Sequence, residues 1–275
     1  MVSSGDDISA CISEFSEQLK MEHIHSEVSG QVNQKKLGIE KLMKSSEWVI
    51  FLDDDLLINS DTIANAFGSL EELDMSNSEL LGIGLGLPPT QRLNRSSIIE
   101  SMFARFFCLT NSEPGSVLPG GQGVSYLQSP EPIFTSWLNG ASVWRIEAAN
   151  DYLHSVPSSM YAACEDLVFS YQQSKKGKLV YVPSAEVEFQ DAEPNDYNRD
   201  QAIKSAAAWR YFFVKSNPEL SLIKLFISQV GRLVFIVVKN HMNLKALIAG
   251  FVTLKWLAIS ILTNREPEYL IRRYL

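Results

Sequence analysis

The chain has 275 residues, of which 45% are hydrophobic, 20% charged and 10% aromatic. That length suits one large domain or two small ones with ample core, and the even composition excludes disordered, collagen-like and coiled-coil classes. Cys11, Cys108 and Cys164 lie far apart with no CxxC pair, which excludes a disulfide scaffold or a cysteine-rich zinc module and points to a reducing compartment. A formal net charge of −8 argues against nucleic acid as a partner. The charge is uneven, with net +6 from Leu222 to Leu275 and therefore −14 on the preceding 221 residues. An acidic body with a basic, apolar tail fits a soluble domain that touches an anionic surface.

In chain order, the opening MVSSGDDISA has neither a basic nor an apolar stretch and does not read as a secretion signal. Helical spacing of apolar residues predicts helices over Ile8 to Lys20, Leu37 to Met43 and Ser60 to Leu73. Between the second and third, WVIFL at Trp48 to Leu52 is a continuous apolar run, expected as a strand buried on both faces of a parallel sheet. GIGLGL at Gly82 to Leu87 is expected as a strand whose backbone has a close neighbour, and it is no GxGxxG fingerprint. Pro88 to Pro132 is irregular. Ser142 to Tyr152 and Glu165 to Lys175 read as helices, and Leu179 to Val182 as a strand stopped by Pro183. Such alternation predicts an α/β domain with a mainly parallel sheet.

The apolar run ends abruptly in Asp53, Asp54 and Asp55. In open α/β sheets ligands bind beyond the carboxyl ends of strands, and three carboxylates packed there call for a hard divalent ion shared with phosphate oxygens. A solvated acidic turn is the bland alternative. An EF-hand fails, because Ile58 and Ala64 occupy the positions that need Gly and Glu. A dehalogenase-type phosphatase would want Thr or Val soon after the second Asp, where Leu56 and Leu57 stand. Glu165 and Asp166 open a helix, which the dipole favours without any function. His23 and His25 form an HxH with no nearby Cys, and His154 and His241 have no partner pattern.

Five segments in order resemble family 2 glycosyltransferases, inverting enzymes of the GT-A fold. VSSGDD at Val2 to Asp7 looks like the end of the family's second strand. QKKLGI at Gln34 to Ile39 looks like its QRNxGI turn, and WVIFLDDD at Trp48 to Asp55 like its strand and DxD motif. WLNGASVWRIEA at Trp137 to Ala148 resembles the acceptor-side segment, and YAACEDLVFSYQQSKKGKLVYVPSAEV at Tyr161 to Val187 the ED helix with its following strand. The resemblance implies a GT-A, mainly parallel sheet flanked by helices, and transfer of a sugar from a UDP-, GDP- or dTDP-sugar to a glycan or lipid-linked acceptor in cell-surface polysaccharide synthesis. It further implies that Asp53 and Asp55 bind Mg²⁺ or Mn²⁺ and that Ser3, Ser4, Lys35, Asp53 and Asp54 meet the nucleotide sugar. Glu165, Trp137 and Gly140 would hold the acceptor, and Asp166 would be the general base. The family's opening strand has no counterpart, Ser3 or Ser4 replaces the Asp that contacts the base, and Phe189 stands where a ligating His often follows. The alternative expectation is a truncated, non-catalytic remnant that binds nucleotide or a partner at the membrane.

The expected division is a catalytic domain over 1–221 and a membrane-associating helical tail over 222–275. Lys224, Ser228, Arg232 and Lys239 fall within about 80° of one another on a helical wheel, predicting an apolar helix with one wet, basic edge. Ala246 to Leu262 has one charge, Lys255, and falls just short of a comfortable span. Two crossings would place lysines at 239 and 245 outside, against the usual charge bias. Attachment to the cytoplasmic face of an anionic membrane, peripheral or monotopic, is therefore expected, with two ordinary core helices as the alternative.

Overall fold

The computed structural model describes residues 2–4, 8–15, 22–42, 46–53, 55–72, 79–87, 98–158, 162–189, 199–239 and 244–266. They form a mixed α/β fold with a central six-stranded sheet, beside a parallel two-stranded pair, β1 (Val2–Ser3) and β2 (Ile24–His25). Between these two strands lies α1 (Ser9–Phe15); residues 16–20 of the predicted helix lie outside the described residues. Helix α2 (Gln31–Leu42) begins before the predicted Leu37 and takes in Gln34 to Ile39, so the segment expected as a turn is helical.

In the large sheet the order is β3 (Trp48–Phe51), β7 (Ser142–Arg145), β5 (Leu80–Gly86), β8 (Lys178–Phe189) and β4 (Leu56–Ile58), with β6 (Ile133–Thr135) also on β8. Only β5 and β8 pair in parallel in this sheet; β3–β7, β5–β7, β4–β8 and β6–β8 are antiparallel. The expectation of a mainly parallel sheet is thus corrected. An apolar run reports burial, not direction, and the short β7 slots antiparallel between β3 and β5. The strand Ser142–Arg145 was read from sequence as the start of a helix; it leads directly into α5 (Ile146–Ser155). Nor is β3 buried on both faces: it lies at the end of the strand order, and Ile50 is 36% exposed.

Two cores line opposite faces of the sheet, because successive strand residues point opposite ways. Val143 and Val180 pack with Ala66 and Leu70 of α3 (Thr62–Glu72), while Trp144 and Leu179 join α2, α5, α6 (Glu165–Ser174) and α7 (Arg199–Lys215). The close backbone neighbour expected at GIGLGL is real: a Cβ on Gly82 would lie 2.8 Å from the Trp144 ring, and one on Gly84 2.9 Å from Leu138. Pro183 does not stop β8. Val182 pairs with Leu85 and the next pair is Gly86 with Glu186, so a bulge absorbs the residue that has no N–H to donate.

The irregular stretch includes α4 (Ile98–Phe106). Helices α7, α8 (Leu222–Lys239) and α9 (Leu244–Leu262) share a third core of Ala208, Tyr211, Val214, Leu225 and Leu257. Ser221 N–H donates to Pro119 O at 2.6 Å, and a Cβ on Gly231 would sit 2.4 Å from Phe107. The wet polar edge expected on α8 is corrected in part: Lys224 is exposed, but Ser228 is buried and Arg232 turns inward to bond Gln122. Packing onto the body claims the polar positions, leaving Ile223 and Ile227 outside. Along α9, Thr253 and Ser260 face inward while Ile248, Phe251, Val252, Lys255, Ile259 and Leu262 form an exposed stripe. Among the described residues, no helix is long and apolar enough to cross a membrane.

Candidate active site

Strand β3 ends at Phe51 and the chain emerges at Asp53. Its Oδ1 accepts a hydrogen bond from Gln31 Nε2 of α2 at 3.1 Å. Its Oδ2 lies 2.7 Å from the point a Cβ on Gly140 would occupy, so the missing side chain at 140 is what lets the carboxylate sit there. Asp55 Oδ1 is buried without a hydrogen-bond partner. A carboxylate oxygen taken from water and given no donor is costly, and a hard divalent cation satisfies it; the donor set therefore fits Mg²⁺ or Mn²⁺. Asp54 lies outside the described residues. Among the described residues no three His, Cys, Asp or Glu side chains gather as a complete metal cage.

Across the pocket α6 begins at Glu165, after Cys164 as its N-cap. Glu165 is 3% exposed and accepts a bond from Lys35 Nζ at 2.5 Å. Lys35, one turn beyond Gln31 on α2, also lies 5.4 Å from the Phe51 ring centroid. Burial alone would lower its pKa, but the Glu165 carboxylate, with Asp166 and Asp53 behind it, raises it. Asp166 Oδ1 accepts from Leu167 N–H at 2.7 Å. Burial and the Glu165 charge push this carboxyl up to about 7, against the opposing pull of Lys35 and the Leu167 amide. A small pocket joins Lys35, Phe51, Gly140, Tyr152, Glu165 and Asp166.

Two side chains that sequence reasoning passed over complete this arrangement. The Tyr152 hydroxyl is buried without a hydrogen-bond partner, and burial together with the Glu165 and Asp166 charges suppresses its ionisation; it is a neutral O–H beside two acids. Ser170 Oγ accepts from Leu138 N–H at 3.0 Å and donates to the Asp166 carbonyl, tying the loop that carries Gly140 to α6. Helical spacing could have found Gln31, four residues before Lys35, and Ser170, four after Asp166.

Asp53 and Asp55 do not line this pocket, and Ser3, Ser4 and Trp137 also stand outside it. Ser3 Oγ shares a hydrogen bond with His23 Nε2 at 2.8 Å, and Ser4 Oγ accepts from Gln34 Nε2 at 2.8 Å. Trp137 is half-buried, its Nε1 donates to Val124 O at 3.1 Å, and its ring lies 4.9 Å from that of Tyr126. The pocket thus brings Lys35, Gly140, Glu165 and Asp166 together, with Asp53 against Gly140, and leaves Ser3, Ser4 and Trp137 to other contacts.

No family model matches the chain, and no curated protein matches it. Among solved structures, the crystal structure of S. aureus TarS 1-349 is similar with a TM-score of 0.45 and 11% identity, over 96% of this chain and 82% of that chain. Likeness at that level carries no argument about chemistry, which rests on the residues themselves.

Proposed function

We propose that this chain is a metal-dependent inverting glycosyltransferase of the family 2 type, moving a sugar from a UDP-, GDP- or dTDP-sugar to a glycan or lipid-linked acceptor. The observation that supports this reading is a pocket joining residues far apart in sequence, Lys35, Gly140, Glu165 and Asp166, with Lys35 paired to Glu165 and Asp53 packed against Gly140. Asp53 and Asp55 would hold Mg²⁺ or Mn²⁺, with Asp54 alongside. The ion supplies charge neutralisation for the leaving nucleoside diphosphate.

The remaining work falls to the chain. Asp166 Oδ1 is engaged by the Leu167 amide, so Oδ2 takes the proton of the attacking hydroxyl. A carboxyl raised to about 7 suits a general base at neutral pH. Glu165, anchored by Lys35, and the Tyr152 hydroxyl orient the acceptor, whose oxygen attacks the anomeric carbon opposite the diphosphate. Trp137, Ser3 and Ser4 serve as outer contacts to acceptor and donor. The exposed stripe of α9 rests on the cytoplasmic face of an anionic membrane, supported by its large apolar side chains around Lys255.

Calorimetry with UDP and Mn²⁺ tests the donor side. The parent should bind, and the Asp53→Asn/Asp55→Asn double variant should lose most affinity. Unchanged, metal-independent binding in that variant overturns the assignment.

A further inference from the structure

Helices α7 and α9 lie side by side in a fixed register. The Tyr211 hydroxyl donates to the Ser260 carbonyl at 3.1 Å and Lys215 Nζ to the Asn264 carbonyl at 3.0 Å, and both bonds span 49 residues of chain. Ala208 and Leu257 of the third core keep the same offset, so the two helices run parallel. Carried two turns back from Tyr211, the register sets Lys204 opposite Thr253. A small pocket opens there, lined by Lys204, Val252, Thr253 and Trp256.

Two donors meet in this pocket. Thr253 is 5% exposed, and its Oγ1 is buried without a hydrogen-bond partner. The usual outlet for a helical threonine is the carbonyl four residues back, which Thr263 takes by donating to Ile259 O at 2.7 Å. Thr253 does not, and a hydroxyl taken from water with nothing in exchange lowers stability. Lys215, at the far end of the same α7 face, is occupied by the carbonyls that close α9. Among the described residues Lys204 forms no ion pair with a carboxylate. An ammonium and a hydroxyl converging on one cavity are satisfied together by an anionic oxygen.

The surroundings say which anion. Val252 lines the pocket and also belongs to the exposed apolar stripe of α9, so the pocket opens at the edge of that stripe. Trp256 supplies a ring of the kind that settles at the headgroup level of a bilayer, and a lysine stem lies along apolar surface with its ammonium at the polar boundary. Residues Leu222 to Leu275 carry net +6, a charge that an anionic leaflet attracts. We propose that Lys204 and Thr253 receive the phosphate of an anionic phospholipid headgroup, with Val252 and Trp256 against its glycerol and upper acyl chain. This rests on the membrane face given to α9 in the proposed function and deepens it: the contact recognises phosphate as well as apolar surface.

Sedimentation of the full chain with two kinds of vesicle tests it, phosphatidylcholine alone and an equal mixture with phosphatidylglycerol. In phosphatidylcholine the choline cation repels Lys204, so the parent should prefer the mixture. Thr253→Val changes no charge, yet it should weaken binding to the mixture about tenfold, the value of a hydrogen bond to a charged group, and leave phosphatidylcholine binding unchanged. Its unfolding midpoint should not fall, because the lost hydroxyl had no partner. Lys204→Met should weaken the mixture at least as much. Thr253→Ser keeps the hydroxyl and should keep the preference. Undiminished binding to the mixture in Thr253→Val overturns the proposal, even if Lys204→Met weakens it, since Lys204 would then be a surface charge alone. If inorganic phosphate, against sodium chloride at matched ionic strength, raises the unfolding midpoint of the parent but not of this variant while vesicle binding is unchanged, the pocket takes free phosphate and the lipid is overturned. Ile248→Ser/Phe251→Ser should lose both vesicle types. A parent that binds both types equally, while this double variant binds neither, keeps the apolar face and overturns the headgroup site. Calorimetry with UDP and Mn²⁺ should be unchanged in Thr253→Val, and a parent that binds no nucleotide leaves the vesicle result standing, so failure of the transferase reading is distinguishable.

Discussion

Replacing Lys35 by Met removes one half of a buried ion pair whose side chains are 12% and 4% exposed. Glu165 would be left charged in a site where burial is its dominant circumstance. Losing one partner of such a pair costs about 3–5 kcal/mol. At about 2–4 °C per kcal/mol for a domain of this size, the melting temperature should fall by about 6–20 °C. The sign with pH is fixed. Lys35 is held above its ordinary 10.5 by Glu165, so its contribution is complete below that value and is lost as pH rises through the raised one. The deficit therefore shrinks as pH rises through the raised Lys35 value, where the parent loses the pair as well. Urea unfolding across this range measures it, and adding Glu165→Gln should recover most of the loss by leaving no charge behind. A deficit at neutral pH below about 1 kcal/mol, the range of exposed pairs, would refute the claim that this pair is buried and coupled.

Asp166→Asn should lower turnover by roughly 10²–10⁴ with nucleotide binding intact in calorimetry; near-parental transfer contradicts the role. In the parent, kcat/KM should climb with pH and level off above about 7 as Asp166 loses its proton, and a flat profile through neutrality counts against it. The same raised carboxyl makes the folded state bind its proton more tightly than the unfolded chain, so this group's contribution to stability falls as pH rises towards about 7. Gly140→Ala introduces a Cβ 2.7 Å from Asp53 Oδ2; the fold should survive, because the carboxylate can swing away, while affinity for nucleotide with Mn²⁺ drops about tenfold, or 1.4 kcal/mol. Ile248→Ser with Phe251→Ser removes two exposed side chains of α9, each worth about 1.5–3 kcal/mol on burial. Sedimentation with anionic liposomes should show at least a tenfold loss of binding, and parental partitioning would dismiss this face.

What the sequence disclosed and withheld follows from what each signal encodes. WVIFL disclosed a strand, β3, because an apolar run cut by charge has few other uses. Glu165 and Asp166 were legible as a helix start, and the pocket adds why both need company there. Strand direction was hidden: Ser142–Arg145 is too short to show its period, and its neighbour α5 lent it a helical look. Pro183 misled because a bulge, not a strand end, accommodates it. The stripe of Lys224, Ser228 and Arg232 was correctly placed on one helical edge, yet a wheel cannot say what an edge meets. Here Arg232 meets Gln122, a pairing across 110 residues of chain.

Ser170 has a consequence for how the molecule tolerates change. Its single hydroxyl receives Leu138 N–H and gives its proton to the Asp166 carbonyl, while Gly140, two residues beyond Leu138, makes room for Asp53. The spacing between Asp53 and the Glu165–Asp166 pair is therefore gauged by one oxygen atom. Substitutions from 138 to 141 and from 165 to 170 will not act as independent steps: each resets the same gauge. Under the proposed transferase function, changing α6 alone will carry Asp53 with it, so variants with a new preference should arise as paired changes in the two segments, with the intermediates poorer than either end.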